Sequence, residues 1–241
     1  MTLRQTAIRT YLECPLRFRF EYLDRIPHRA SAALAFGRAF HRTLERFHRE
    51  QVTKLTPAHL LFHQVWAQVL IEDRPHFEKN TQEREYAALG PELMTLYLAC
   101  PLAQREPLLL EYHFALELHG HTLTGTLDRL DDTPAGLVLV DYKTGKRRPN
   151  QALLDDDLQF TLYSWGVTET LGLPVARCEY LHLRKMETFV THRGPEHFQR
   201  LREDILPSVF RGLEAGVFPP SPSFWCHYCD YRYLCGAPPG A

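Results

Sequence analysis

Asp128, Asp141 and Lys143 have the types and spacing to do chemistry. They lie in the stretch T-L-T-G-T-L-D-R-L-D-D-T-P-A-G-L-V-L-V-D-Y-K-T-G, residues 122–145. Runs rich in Leu, Val and Thr flank Asp131-Asp132-Thr133-Pro134-Ala135-Gly136. That composition predicts a strand, a turn and a strand. A tight turn at Thr133–Gly136 makes Thr133 face Gly136, and counting outward in an antiparallel ladder puts Asp128 opposite Asp141. Directly opposed residues have Cβ atoms roughly 4.5–5.5 Å apart. Strand alternation sends Asp141 and Lys143 to the same face. Two opposed carboxylates repel each other, and a hard cation such as Mg²⁺, held by one or two carboxylates plus phosphate oxygens, removes the conflict. The alternative is a pair of solvated strand-end residues that Lys143 neutralises. Val138-Leu139-Val140 runs straight into Asp141, however, so a core-bound strand ends on a carboxylate that needs a reason.

A second set of reactive side chains lies in the tail. Cys226, Cys229 and Cys235 are spaced C-x2-C-x5-C. A C-x2-C knuckle places two thiolates on one ion or cluster, and three ligands need a fourth. Cys14, beside Pro15 in an aromatic-rich segment, fills that place better than Cys100 or Cys178, which fall in packed elements. Free thiols are the alternative to a metal centre; zinc is the default metal, but zinc ribbons usually carry two knuckles, and four cysteines also suit a [4Fe–4S] cluster.

The elements that must position these groups follow from periodicity. Residues 3–13 predict a short helix that ends before Cys14-Pro15, because the residue before proline avoids the α region. Leu16-Arg17-Phe18-Arg19-Phe20-Glu21-Tyr22 interleaves arginine with aromatics. This fits either nucleic-acid contact or a helix with a packed face. Ala33, Phe36, Phe40, Leu44 and Phe47 give a helix over 31–50, with His41 beside the stripe. Residues 57–73 and 81–100 predict two more helices, a cap or lid with no chemistry of its own. A strand over 107–119 precedes the hairpin and carries Glu111, which can face the hairpin carboxylates or the solvent.

Lys146-Arg147-Arg148 follows the hairpin as a basic cluster, either a solvated loop or a set of phosphate contacts. Residues 151–171 predict a helix with Gln159 and Tyr163 on one face, four apart. A second hairpin is expected over 175–183 and 187–192, with Cys178 packed as a small apolar residue. The last helix spans 195–215, kinked at Pro207 and ended by Gly216.

A chain of 241 residues fits one large domain or two small ones. Its 28 basic and 29 acidic residues create no strong overall field, so any nucleic-acid site must be a local patch. No signal-peptide core and no run approaching a membrane span is present, and a soluble, cytoplasmic protein is expected. Six cysteines in such a chain point to metal or catalysis before disulfides.

His41, then Gly125-x-x-Asp128, Asp141-Tyr142-Lys143 and Gln159-x-x-x-Tyr163 together resemble the PD-(D/E)XK nucleases. The resemblance is nearest to the RecB-like branch, which includes the CRISPR adaptation nucleases and the nuclease domains of AddB-type helicase–nucleases. In the iron–sulfur members one cysteine precedes the core and three follow it, as Cys14 precedes and Cys226, Cys229 and Cys235 follow here. The resemblance implies a restriction-endonuclease-like α/β (α+β) fold, a central mixed sheet flanked by helices. The core would span 31–215 with a helical insertion at about 53–104, and 1–30 with 216–241 would form the cluster module.

Carried over by position, His41, Asp128, Asp141 and the carbonyl of Tyr142 would bind Mg²⁺ or Mn²⁺. Asp128, Asp141 and Lys143 would be catalytic, with Lys143 orienting the attacking water. Gln159 and Tyr163 would position DNA or the site. Two departures are that Leu127, not proline, precedes Asp128, and that the second acid is Asp rather than Glu. The implied activity is a metal-dependent DNA exonuclease acting at single-stranded ends, in repair, recombination or CRISPR adaptation. A non-catalytic DNA-binding or assembly subunit, and a zinc protein of unrelated activity, are the alternatives. No G-x-x-x-x-G-K-[ST] loop is present, so a helicase or CRISPR adaptation protein would be a separate partner.

Overall fold

The structure is a computed structural model and describes residues 1–28, 30–79 and 81–237. Strand β1 (Thr2–Arg4) and helix α1 (Gln5–Glu13) come first. Then comes α2 (Pro15–Phe18), which continues as a π-helical turn over Arg19–Leu23. Helices α3 (Ala32–Arg49), α4 (Leu55–Asp73) and α5 (Gln82–Leu98) follow, then the single turn α6 (Pro101–Gln104). Strands β2 (Leu109–Leu118), β3 (His121–Thr133) and β4 (Gly136–Lys143) form a meander. Helices α7 (Gln151–Asp155) and α8 (Leu158–Leu171) lead to a second hairpin, β5 (Val175–His182) and β6 (Glu187–Thr191). The chain then runs through α9 (Pro195–Arg200), a π-helical segment over Leu201–Ile205, α10 (Leu206–Ala215) and a 3-10 turn over Phe224–Tyr228.

The strands make one mixed sheet in the order β1-β3-β4-β5-β6, with β2 also paired to β3. The hairpin register is the one the turn dictates. Thr133 pairs with Gly136 and the ladder runs back to Arg129 and Val140, so the next step sets Asp128 against Asp141. β2 follows β3 from His121 to Leu130. β1 and β4 therefore share the other edge of β3, β1 at residues 122–124 and β4 at 129–133. Among the described residues no strand pairs with residues 125–128 on that edge. The sheet forks there, and Asp128 stands in the fork. β4 and β5 are parallel, which requires the crossover that α7 and α8 supply.

Each face of the sheet is covered by helices. On one, Phe36, Phe40, Phe62 and Met94 of α3, α4 and α5 pack on Val138, Val140 and Tyr142. On the other, Phe160 and Val167 of α8 pack on Leu130, Leu139 and Cys178. Ile8, Leu162 and Phe210 cover Leu123 and Phe114. Cys178 is buried with its sulfur 3.2 Å from Ser164 Oγ. This is the mixed sheet flanked by helices that the resemblance implied.

Several boundaries differ from the periodicity. Leu3 is a strand residue paired with Leu123, and the helix starts at Gln5. The open edge of β3 outcompetes the weak helical signal there. Residues 151–171 form two helices, because the Asp157 carboxylate accepts from the Phe160 amide at 3.0 Å and caps a new start. The last helix passes through its π segment just before Pro207, whose missing N–H breaks the α ladder. Of the two readings of the arginine–aromatic segment, the helical one describes its backbone. Phe18 is buried, Arg17 pairs with Glu13 and Glu21, and Arg19 pairs with Asp24.

Candidate functional site

The fork between β1 and β4 collects the predicted groups. Asp128 Oδ2 accepts the Tyr142 amide at 2.8 Å, and its Oδ1 lies 3.1 Å from His41 Nδ1. His41 is delivered by α3, whose apolar stripe is buried against α4 and β4 and leaves His41 at the rim. Asp141 is 2% exposed. Its Oδ2 lies 2.6 Å from Lys143 Nζ, and its Oδ1 accepts from Gln159 Nε2 at 2.7 Å. Lys143 also donates to Gln159 Oε1 at 3.3 Å. One turn along α8, Tyr163 packs edge-on against Phe114, ring centroids 5.9 Å apart. Both rings crowd Gly125, where a Cβ would sit 2.5 Å from Phe114 and 2.8 Å from Tyr163. The glycine three residues before Asp128 is thus a packing requirement of β3 against α8.

The charges are strongly coupled. Burial would raise the Asp128 carboxyl, yet His41, Lys143 and the Tyr142 amide hold it below the usual range. Asp141 is pushed the other way by burial, Lys143 opposing and Asp128 adding to the rise. Burial would also strip the charge from Lys143 and His41, but the adjoining aspartates outweigh it and raise both. Lys143 is therefore a fixed positive charge beside the acids.

Glu111 joins this site, and the sequence left it open between facing the acids and facing solvent. Leu110 pairs with Arg129 and Tyr112 with Leu127, so Glu111 falls opposite Asp128. Its φ is +48°, left-handed for a non-glycine residue inside a strand. One ligand atom from each of His41, Glu111 and Asp128 lies within 4.8 Å of the others; Asp141 is not part of that group. Burial and then the charge of Asp128 push Glu111 up to about 7. The usable signal in the sequence was register: extending the hairpin count to the preceding strand puts Glu111 in the Asp128 row. An imidazole with hard carboxylate oxygens suits Mg²⁺ or Mn²⁺.

A groove of about 790 Å³ opens beside these residues, lined by Arg4, Arg38, His41, Arg42, Glu111 and Thr144. Lys146, Arg147 and Arg148 are exposed just past β4, with Arg148 paired to Glu187. Behind the site, Arg129 is fully buried. It donates to Asp131 at 2.5 Å and to the carbonyls of Leu102 and Arg105, and lies 3.0 Å from His48 Nε2. Tyr97 OH, 3.0 Å from Tyr142 OH, ties that network to the side chain of Tyr142. Nothing in the periodicity marked this buried arginine.

Cys14, Cys226, Cys229 and Cys235 line one cavity of about 290 Å³. Among the described residues these four do not form a group of ligand atoms within 4.8 Å of one another. The two ends of the chain nevertheless meet. The Leu16 amide donates to the Pro219 carbonyl at 3.2 Å, and Tyr231 OH donates to the Ile26 carbonyl at 3.2 Å. The Ser221 amide lies 3.5 Å from Cys14 Sγ. Among the described residues, no helix is long and apolar enough to cross a membrane.

Comparison with known proteins agrees with this geometry. The gene 69 proteins of Mycobacterium phages D29 and L5 are similar to the chain. The first is 24% identical over 261 residues and the second 22% over 280, each match covering 95% of this chain and 94% of the relative. A solved structure of a candidate exonuclease from Eubacterium rectale superposes with a TM-score of 0.66 at 11% identity. It covers 100% of this chain and 90% of its own, a likeness of fold. The family model of the PD-(D/E)XK nuclease superfamily matches residues 2–236, and the chain belongs to that superfamily.

Proposed function

We propose that this chain is a Mg²⁺- or Mn²⁺-dependent DNA exonuclease acting at single-stranded ends, in repair, recombination or CRISPR adaptation. The observation that carries the reading is the convergence of His41, Asp128, Asp141, Lys143 and Gln159 on the fork in the sheet. His41, Asp128, Asp141 and the Tyr142 carbonyl would hold the divalent ion. When bound, such an ion lowers the pKa of water and polarises a phosphoryl oxygen. Lys143, held to Asp141 and Gln159, orients the attacking water and stabilises the charge that develops on the phosphate. Gln159 bridges Asp141 and Lys143 and fixes both rotamers. Tyr163, on the same face of α8, positions the strand. Lys146, Arg147 and Arg148 offer phosphate contacts.

Cys14, Cys226, Cys229 and Cys235 are proposed as ligands of a structural [4Fe–4S] cluster joining residues 1–30 to 216–241. Their shared cavity and the contacts between the two chain ends support this. A helicase or CRISPR adaptation protein would be a separate partner. The test is anaerobic purification followed by a Mn²⁺-dependent assay on end-labelled single- and double-stranded DNA. Asp141→Asn and Lys143→Met serve as controls. Release of mononucleotides from single strands by the wild type alone is expected; equal cleavage by a folded Asp141→Asn protein sinks the assignment.

A further inference from the structure

Tyr142 stands between Asp141 and Lys143 in β4, and its side chain is buried on the opposite face, in the core formed with α3, α4 and α5. The tip of β4 is held by a strand along one edge only. Asp141, Tyr142 and Lys143 pair with Tyr180, Leu181 and His182 of β5, while on the β3 side the ladder ends at Val140. The Asp128 carboxylate takes the Tyr142 amide there, and the Tyr142 hydroxyl makes a further tie from the helical side.

That hydroxyl lies 3.0 Å from the hydroxyl of Tyr97, in the last turn of α5. Tyr97 OH lies in turn 2.7 Å from His48 Nε2 of α3 and 3.4 Å from Arg129 Nη1 of β3. A guanidinium has only donors, so Arg129 donates to His48 Nε2 at 3.0 Å and that nitrogen carries no proton. Tyr97 must then donate to the same nitrogen, which leaves Tyr142 as the donor to Tyr97. Burial and the charge of Arg129 lower His48 to about 4, in keeping with an acceptor at Nε2. Tyr97 and Arg129 are fully buried and Tyr142 nearly so. Apolar side chains of similar volume would fill this core without the cost of burying polar groups, so stability alone does not account for the chain of hydroxyls.

We infer that Tyr97 is a positioning residue: its hydroxyl pins Tyr142, and with it the strand tip that carries Asp141 and Lys143. The inference rests on the proposed roles of those two residues. It gives the helical insertion a part in the chemistry, although the insertion lends no group to it. Gln159 ties together the side-chain ends of Asp141 and Lys143. Tyr97 acts on the backbone between them, and a displacement there moves both reactive groups at once.

The test reads the strand tip before it reads cleavage. Amide hydrogen exchange is followed in chelator on protein labelled with ¹⁵N-tyrosine, for the wild type, Tyr97→Phe, Tyr142→Phe, the double variant and Tyr86→Phe, with melting curves for each. Tyr86 is the control, a buried tyrosine of the same helix outside the chain of hydroxyls. In Tyr97→Phe the Tyr142 amide should exchange about tenfold faster, the worth of one hydrogen bond, while the Tyr163 amide in α8 keeps its rate. With Mn²⁺ and end-labelled single strands, kcat should fall about tenfold at unchanged KM. Tyr142→Phe breaks the same link from the other side, so the double variant should be no worse than either single one. Tyr86→Phe should match the wild type in both measurements. An unchanged Tyr142 amide, an equal rise at Tyr163, additive losses in the double variant, or an unchanged kcat overturns the inference. A loosened Tyr142 amide in a protein whose wild type cleaves no DNA leaves the pin on the strand standing and removes the nuclease reading.

Discussion

The Tyr142 amide donates to a side chain where the sheet would lead one to expect a backbone carbonyl: its partner is Asp128 Oδ2, 2.8 Å away, just past the last paired residues of β3 and β4. The contact lets the two strands part without orphaning a buried donor. It also fixes one carboxylate oxygen and leaves the other toward His41.

Asp128→Asn and Asp128→Ala should therefore separate structure from chemistry. Asparagine keeps an acceptor for Tyr142, so stability should stay within about 1 kcal/mol of wild type while Mn²⁺ affinity and cleavage are lost. Alanine leaves the Tyr142 donor buried without a partner, which costs roughly 1–3 kcal/mol, less whatever repulsion with Asp141 is relieved. Urea denaturation of both variants in chelator measures the difference. Equal stability of the two would mean that the contact with Tyr142 contributes nothing.

The pH dependence follows from the direction of each shift. Glu111 is raised in the folded protein to about 7, and His41 and Asp141 are raised as well. A raised group binds its proton more tightly when folded. Its stabilising contribution is complete below the unfolded pKa and fades as pH rises through the folded one. Asp128, lowered, contributes above its unfolded value and loses that contribution only in acid. In the metal-free protein half-buried Glu111 should thus withdraw stability between about pH 4.5 and pH 7, on the order of 2 kcal/mol after allowing for solvent screening, against the opposite slope of His48, which burial and Arg129 lower to about 4. Mn²⁺ needs the deprotonated ligands, so its stabilising effect should grow over the same interval. Calorimetric melting with chelator and with Mn²⁺ checks both trends; Glu111→Gln should flatten the first.

The hairpin was legible because its turn and alternation admit one register, and a one-residue slip would have turned Val138 and Val140 out of the core. Gln159 and Tyr163 were legible from helical spacing even though the helix breaks at Asp157, because the break precedes both. Glu111 was legible as to its row but not as to which way it faces. Period-two reasoning assumes extended backbone at every residue, and a left-handed φ at one strand position leaves no mark in composition. Arg129 was hidden for a related reason: a buried arginine satisfied by carbonyls far along the chain reads locally as an exposed strand residue.

Binding to single-stranded DNA should weaken with salt in proportion to the phosphates neutralised. Lys146 and Arg147 are exposed and, among the described residues, form no salt bridge, whereas Arg148 pairs with Glu187. Replacing both with alanine should reduce the slope of log affinity against log salt by about 1.4, roughly 0.7 per contact. Anisotropy titrations over a salt series measure it, and an unchanged slope moves the DNA path to the Arg4–Arg38–Arg42 groove.

The anaerobically purified protein should be brown and contain iron rather than zinc. Loss of Cys14, Cys226, Cys229 or Cys235 should bleach it and lower its melting temperature, because the ligands tie together two ends of the chain and restrict the unfolded ensemble. Cys178→Ala should keep the colour, since Cys178 lies in the core beside Ser164; so should Cys100→Ala. Stoichiometric zinc without iron, or a fully coloured Cys14→Ala protein, would reject the cluster.

Gly125→Ala should injure the site without touching a charged residue. The added Cβ would meet Phe114 at 2.5 Å and Tyr163 at 2.8 Å, so the rings or β3 must move. Phe114 cannot retreat toward α8, because Gly166 already leaves its own Cβ space to the same ring, 2.4 Å away. Overpacking of this kind costs typically 1–3 kcal/mol. The displaced ring most free to yield is Tyr163, one turn from Gln159, so cleavage should fall further than the stability loss alone explains. Mn²⁺ affinity should stay near wild type, because no ligand is removed. Gly145→Ala is the matched control: a Cβ there meets nothing within 4 Å and should leave stability unchanged. Equal melting temperatures for the two alanine variants would show that Gly125 carries no packing constraint.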